Sequence, residues 1–340
     1  MLRNSNIRLA SSNRIKIGFI IEDWPLPYFY ASASVRLRVY DVIRFLKGYD
    51  DIIAELYKPW KKYDAVFFQK RDEKAFRTAE KLKSKGTKII LDINANIFDK
   101  SLYGLGFFKK FNDSYFENII KFGNLADYIA VTSPYLKDIS EKKFGNKVIF
   151  LPENISDLFF IEKKVVPKKR DVVRFIYVGY ASKANQLYLI KDTLARLATK
   201  YNLEYIMICD RNPHIRIPGI QFKYIPFQYK VIQKQILLGD IFLAPRDMND
   251  HYNLGHSFTK IGLPMSVGIP VIASPIPAYQ QSPAILIDTF DTQWDNAIEN
   301  LINNSYDYRN LSLAGIAFCK KNFSVATTRK KYIDFFSSIL

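Results

Sequence analysis

Cysteine, histidine and long apolar runs are all scarce in this chain. Its 340 residues include two Cys, Cys209 and Cys319, and three His. Two distant thiols without ligand spacing exclude a disulfide-stapled scaffold and a zinc module, and suit a reduced compartment. The most apolar windows, such as KIGFIIEDW and DIFLAPRD, are far shorter than a membrane span. MLRNSNIRLASSNR at the start lacks the apolar core of a secretory signal, so a cytoplasmic protein is expected. No G-x-G-x-x-G follows the first strand pattern in FIIEDWPLPY, which excludes the usual nicotinamide dinucleotide fingerprint. Acidic residues are also in deficit, 33 against 50 Lys and Arg, a net charge of +17.

That excess calls for an anionic partner: nucleic acid, an anionic membrane or a phosphate-bearing small molecule. No zinc-finger spacing, RNP-like aromatic motif or single strongly basic helix is present, so nucleic acid is not expected. Residues 1–150 hold 27 Lys and Arg against 17 Asp and Glu, and residues 171–340 hold 18 against 13. The first half therefore carries most of the imbalance, although a solvated basic surface alone would look the same.

Short apolar runs alternate with amphipathic helical patterns, the pattern of parallel α/β architecture. Candidate strands in the first half are residues 16–22, 65–69, 88–93, 128–133 and 147–152. The stretch IEKKVVPKKRD (161–171) reads as a linker. The alternation then restarts with VRFIYVG (173–179), a helix over 186–201, EYIMICD (204–210) and IFLAP, and it ends with helices near 292–305 and 324–338. These patterns predict an N-terminal domain over 1–155, a linker over 156–172, a second domain over 173–322 and a C-terminal helix over 323–340. The helix is expected to pack back on the first domain. In such folds ligands bind beyond the carboxyl ends of the strands.

The stretch HSFTKIGLPMSVGIPVIAS (256–274) is unusual. A helix start favours acids, yet the first turn here offers Ser257, Thr259 and Lys260. Ser257 is a good N-cap, and a helix N-terminus binds phosphate readily. A ligand diphosphate there would explain Lys260, with Arg246 adding a forked contact and Lys183 further positive charge. Gly179 permits a close backbone approach after the strand at 173–179. Arg36 and Arg38, cations at the start of another helix, have two readings: contacts to a phosphate or acceptor anion, or ion pairs within the protein.

GDIFLAPRD…N…SFTKIGLPMSVGIPVIAS resembles the nucleotide-sugar-binding signature of GT-B glycosyltransferases of the broad family-4-like type. FIYVGYASKANQLYLIKDTLARL resembles their first C-domain strand and helix. ADYIAVTSPYLKDISEKKFGNKVIFLPENI resembles the end of their N-terminal domain. SASVRLRVYDVIRFL resembles a loop of envelope-polysaccharide transferases. The resemblance spans nearly the whole chain and implies two Rossmann-like parallel-sheet domains facing across a cleft. It further implies transfer of a sugar from a nucleotide-sugar donor, with no metal and no other cofactor. The acceptor would be a saccharide or lipid-linked saccharide, and the enzyme could sit peripherally on the inner face of an anionic membrane. Gly179, Lys183, Arg246, Asn253, Ser257 and Lys260 would then hold the donor.

The chain departs from the family pattern at two places. Where the family carries a pair of glutamates held to contact the donor's ribose and sugar hydroxyls, this sequence has Gly255 and Leu263. Their loss leaves open a non-catalytic nucleotide-sugar or glycan binding protein. His256, Asn253 or Asp247 are available as replacement contacts.

A base for the acceptor hydroxyl is sought at the carboxyl end of the first strand, where Glu22 and Asp23 stand. Asp92 ends another strand, and His256 lies beside the phosphate site, as a base or as a hydrogen-bond donor. Trp24, Tyr28, Phe29 and Tyr30 offer rings for stacking on a sugar or for packing within the protein.

Overall fold

The computed structural model describes residues 14–22, 24–49, 51–100, 112–160 and 171–339. Asp23 and most of the linker stretch, residues 161–170, lie outside them. The expected alternation of strand and helix is present in both halves.

The first half runs β1 (Ile15–Ile20), α1 (Ala33–Val35), a π-helical turn (Arg36–Tyr40), α2 (Asp41–Leu46), β2 (Ile52–Leu56), β3 (Ala65–Phe68), α3 (Glu73–Lys83), β4 (Lys88–Ile93), α4 (Asp113–Leu125), β5 (Tyr128–Val131), α5 (Pro134–Phe144) and β6 (Val148–Phe150). Its sheet has the order β2-β1-β3-β4-β5-β6. The pairings β1–β2, β1–β3, β3–β4 and β5–β6 are parallel. Parallel strands are covered on both faces, which is why β3, AVFF, and most of β4 are buried along their length.

The second half runs β7 (Val173–Gly179), α6 (Lys191–Ala198), β8 (Leu203–Cys209), β9 (Gln221–Pro226), α7 (Ile232–Ile236), β10 (Ile241–Ala244), α8 (His251–Leu254), α9 (Thr259–Ser266), β11 (Val271–Ala273), β12 (Ile285–Leu286), α10 (Thr292–Asn303), α11 (Ser305–Phe323) and α12 (Val325–Ser338). A 3₁₀ stretch over Ala181–Ile190 leads into α6. The second sheet is also parallel, in the order β12-β11-β10-β7-β8-β9. Two apolar clusters cover its faces, one built around Leu194, Tyr205 and Trp294 and the other around Phe242, Ile261 and Met265.

By compactness the chain divides into one unit of Met1–Asp92, Asn118–Tyr128 and Arg329–Leu340, and a second of Ile93–Glu117 and Ile129–Thr328. In the first unit the end of α12 packs against the N-terminal core: Phe336 lies edge-on to Phe19, and Phe335 edge-on to Tyr128. Arg38 is fully buried in the same unit. Its Nε and Nη2 donate to Asp92 Oδ1 at 3.0 and 2.6 Å, and its Nη1 donates to the Tyr332 hydroxyl at 2.6 Å. Among the described residues no helix is long and apolar enough to cross a membrane.

Helix ends follow local chemistry. Asp72 accepts the Ala75 N–H to start α3, and Ser133 does the same for α5 with Pro134 at its first position. Gly145 ends α5 at φ +72, a conformation that costs a glycine little. α9 is held against α11: the Cys319 thiol of α11 donates to the Gly262 carbonyl at 3.5 Å, and Phe258, just before α9, stacks on Phe323 at 4.3 Å.

Candidate functional site

Both sheets reverse their winding at one point. In the second sheet β7, β8 and β9 run outward one way and β10, β11 and β12 the other, so the switch falls between β7 and β10. Loops leaving such neighbouring strands in opposite directions open a crevice at the strands' carboxyl ends. The segments that follow these strands carry Lys183, Arg246 and Lys260.

Arg246 comes two residues after β10 and is buried at 4 % exposure. Its backbone N–H donates to Ser274 Oγ at 2.8 Å, and its Nη1 donates to Asn253 Oδ1 at 3.3 Å. Asn253 is buried in turn, and its amide donates to the Asp247 carbonyl at 3.0 Å and to Gln186 Oε1 at 3.4 Å. Gln186 Oε1 also accepts the Asp247 N–H at 2.9 Å. The loop after β10 is thus pinned to the 3₁₀ stretch after β7.

Lys260 is the second residue of α9. Its ammonium donates to the Val178 carbonyl and lies 4.0 Å from the centre of the Tyr177 ring. A Cβ at Gly179 would come within 2.6 Å of that ammonium, so the close approach requires glycine there. Lys183 sits 3.4 Å above the Tyr252 ring. Burial first, and then Arg246, lower its pKa to about 7, with Asp250 acting the other way. The same two causes hold Lys260 well below the usual lysine range, with a further contribution from Lys183.

His256 lies among these cations. Burial, Arg246, Lys183 and Lys260 together depress its pKa well below the ordinary value, so its imidazole is neutral at physiological pH. Its ring meets Tyr252 edge-on at 5.0 Å, and its Nε2 is buried with no hydrogen-bond partner among the described residues. Among the described residues no ion pair involves Lys183, Arg246 or Lys260. Buried charge without an ion-pair partner is costly, and here buried Arg246 shares one crevice with the half-buried Lys183 and Lys260.

Ser257 differs from expectation. α9 begins at Thr259 with Phe258 in the cap position, so Ser257 does not cap it. Its hydroxyl instead donates to Glu153 Oε2 at 2.6 Å, as does the Thr259 hydroxyl, also at 2.6 Å. The carboxylate missing from this helix start in the sequence is supplied by Glu153, from the segment after β6. That anion suits the positive end of the helix, and Lys260 is free to turn toward β7. Sequence proximity carried no sign of Glu153 or Gln186.

Gly255 and Leu263 are both set in packed surroundings. A Cβ at Gly255 would stand 3.3 Å from Asn96 Cβ and Leu136 Cδ2, and the Gly255 carbonyl accepts the Ser133 hydroxyl at 3.1 Å. A side chain there would need these neighbours to give by a few tenths of an ångström. Leu263 packs against the apolar cluster around Phe242.

In the first sheet the winding reverses between β1 and β3. Glu22, two residues after β1, receives the Arg71 Nη2 donor at 3.2 Å, and its own N–H donates to Gln69 Oε1 at 3.3 Å. Arg71 and Gln69 follow β3, so the carboxylate is held at that switch point. The remaining N-terminal candidates have other surroundings. Arg38 and Asp92 form the buried pair described above, which is the intraprotein alternative for Arg38 and removes Asp92 as a base. Arg36 is buried, and its Nη1 donates to the Ala31 carbonyl at 2.9 Å. Tyr28 donates to Asp41 at 2.7 Å, whereas Trp24 and Tyr30 are largely exposed.

No family model matches this sequence. No curated protein matches it either. Solved structures do resemble it. A glycosyltransferase from Rickettsia africae aligns over 96% of this chain and 99% of its own, at 12% identity and a TM-score of 0.64. Anabaena HepE in complex with UDP-glucose aligns over 96% and 100%, at 12% identity and TM-score 0.61. The UDP-GlcNAc 2-epimerase of Neisseria meningitidis bound to UDP-GlcNAc aligns over 96% and 100%, at 12% identity and TM-score 0.56. The likeness is one of fold. This chain has the GT-B type of α/β fold, with two six-stranded Rossmann-like parallel sheets.

Proposed function

We propose that this protein is a glycosyltransferase that uses a nucleoside-diphosphate sugar as donor. One observation carries the reading: Lys183, Arg246 and Lys260 converge, with no ion pair among the described residues, on the switch point of the second sheet. A diphosphate bound there would offset the repulsion from Arg246 that adds to burial in depressing both lysines. As the sugar departs, negative charge grows on the diphosphate, and preorganised cations stabilise that change most where water is excluded. Asn253 would hold the guanidinium of Arg246 in place, and neutral His256 would offer its unpartnered Nε2 to a sugar or phosphate oxygen. UDP-glucose in HepE and UDP-GlcNAc in the epimerase make UDP the first nucleotide to test.

Glu22, fixed by Arg71 at the switch point of the first sheet, and Asp23 beside it are the proposed bases for the acceptor hydroxyl. The acceptor is a saccharide or lipid-linked saccharide taken by the N-terminal unit, as in cell-surface polysaccharide synthesis. The enzyme works in the cytoplasm, peripherally on an anionic membrane face. No metal is assigned a step, since the three cations supply the leaving-group charge.

Calorimetric titration with UDP, followed by release of UDP from a panel of UDP-sugars with and without saccharide acceptors, tests the reading. Binding with turnover supports it. Binding without turnover for any donor favours a nucleotide-sugar binding protein, the reading to which Gly255 and Leu263 point. Absence of binding by any nucleoside diphosphate removes both.

A further inference from the structure

The excess positive charge of the N-terminal half gathers in one groove of the first unit. The groove runs from β1 across the loop at residues 56–64 to α3, and ten Lys and Arg against three carboxylates line it. Those three carboxylates are already engaged. Asp64 accepts the Lys16 N–H at 2.7 Å, Asp72 caps α3 and pairs with Lys70, and Glu73 pairs with Arg77 at 3.0 Å. Lys62, Lys74, Lys81 and Lys85 are exposed and, among the described residues, have no acidic partner within ion-pair distance.

On α3 the spacing of Lys74, Arg77 and Lys81 sets three cations along one helix face, with Lys85 in the turn that follows the helix. At 1.5 Å per residue the helical stripe is about 10 Å long. At the rim stands Trp60, 79 % exposed, beside Lys61 and Lys62. Tyr57 and Tyr63 meet at 5.5 Å with their planes tilted by 40° and close over Gly18, which leaves Trp60 as the most exposed ring of the groove.

We infer that this groove binds an acidic glycan chain, the carboxylated or phosphorylated part of the acceptor, with Trp60 against a sugar face and the α3 lysines against the anionic groups. The inference rests on the glycosyltransferase reading above for the identity of the chain. Charge complementarity identifies a polyanion. Its concavity separates an elongated chain from a bilayer, which is flat. A single open ring does not offer the succession of stacking platforms that single-stranded nucleic acid uses.

Binding of oligogalacturonate, a polyuronate, and of a matched neutral galactan is measured at low and high salt on the full chain. The expected result is binding of the acidic oligomer alone, lost as ionic strength rises toward about 0.5 M, where screening reaches only a few ångströms. The triple variant K74E/K81E/K85E should bind it at least about tenfold more weakly, as expected when like charges replace attractive ones. Its melting temperature and UDP affinity should match the parent. Equal binding of acidic and neutral oligomers, or undiminished binding by the variant, overturns the inference. So does tighter capture of anionic vesicles or single-stranded DNA than of oligogalacturonate. Because UDP binding is read separately, glycan binding without UDP binding would sink the donor site and leave the groove.

Discussion

Replacing Lys183 by Met should make the free protein more stable and its nucleotide binding weaker. The substitution keeps a flexible apolar stem of similar length and removes the ammonium. In the folded protein burial and Arg246 bring the Lys183 pKa down from 10.5 to about 7. At about 1.4 kcal/mol per pH unit, that displacement corresponds to a cost of roughly 5 kcal/mol in the protonated state. The Tyr252 ring, 3.4 Å from the ammonium, offsets about 2 kcal/mol of it. A net gain of about 3 kcal/mol at neutral pH is therefore expected for Lys183→Met. The sign with pH follows from proton counting. Above the folded pKa of about 7 and below 10.5, the unfolded chain holds the extra proton, so parent stability rises with pH across that window. The advantage of the variant is accordingly full below the window and vanishes above it. Losing a charge-assisted phosphate contact should cost at least about tenfold in UDP affinity. Urea unfolding at several pH values and calorimetric titration with UDP supply both numbers. A variant that loses stability, or that gains it while binding UDP unchanged, refutes the reasoning.

The remaining expectations concern the same cluster and the core that supports the first sheet. UDP affinity of the parent should fall as pH rises above about 7, because a bound anion stabilises the protonated lysine and binding then takes up a proton; titrations in buffers of different ionisation enthalpy will reveal that uptake. Gly179→Ala places a Cβ 2.6 Å from the Lys260 ammonium, so UDP binding should weaken by about tenfold or more while the circular dichroism spectrum is retained. Arg38→Met strands the buried Asp92 carboxylate and should cost about 3–5 kcal/mol in urea unfolding, because breaking a buried pair leaves a charge unpaired; the double variant with Asp92→Leu should recover part of that loss.

Alternation of short apolar runs with amphipathic segments made the parallel sheets legible, and VRFIYVG was read to its last residue, because both faces of such strands are buried. Elements with weaker contrast were not visible. β2 is half-exposed along most of its length and so lacks a continuous apolar run. α4 interrupts its apolar face with Asn118 and Gly123. α11, missing between the two expected C-terminal helices, spreads polar and apolar residues around its surface, and its buried face mixes Tyr308 and Cys319 with Ser312 and Gly315. Lys260 and Arg246 could be picked out by their misfit, cations next to a helix start and a strand end. Glu153 and Gln186 could not, since their roles arise from contacts 61 to 106 residues away. The same limit applies to Arg38, whose oddity in sequence had two readings that only its partners, Asp92 and Tyr332, distinguish.

The central claim is that three cations at the switch point of the second sheet, without an ion pair among the described residues, receive a diphosphate. Titrating uridine, UMP and UDP into the parent protein and into Lys260→Ala tests it most directly. Affinity should climb steeply with each phosphate in the parent, and the climb should flatten in the variant. Equal affinities for uridine and UDP in the parent, or an identical climb in the variant, would contradict it.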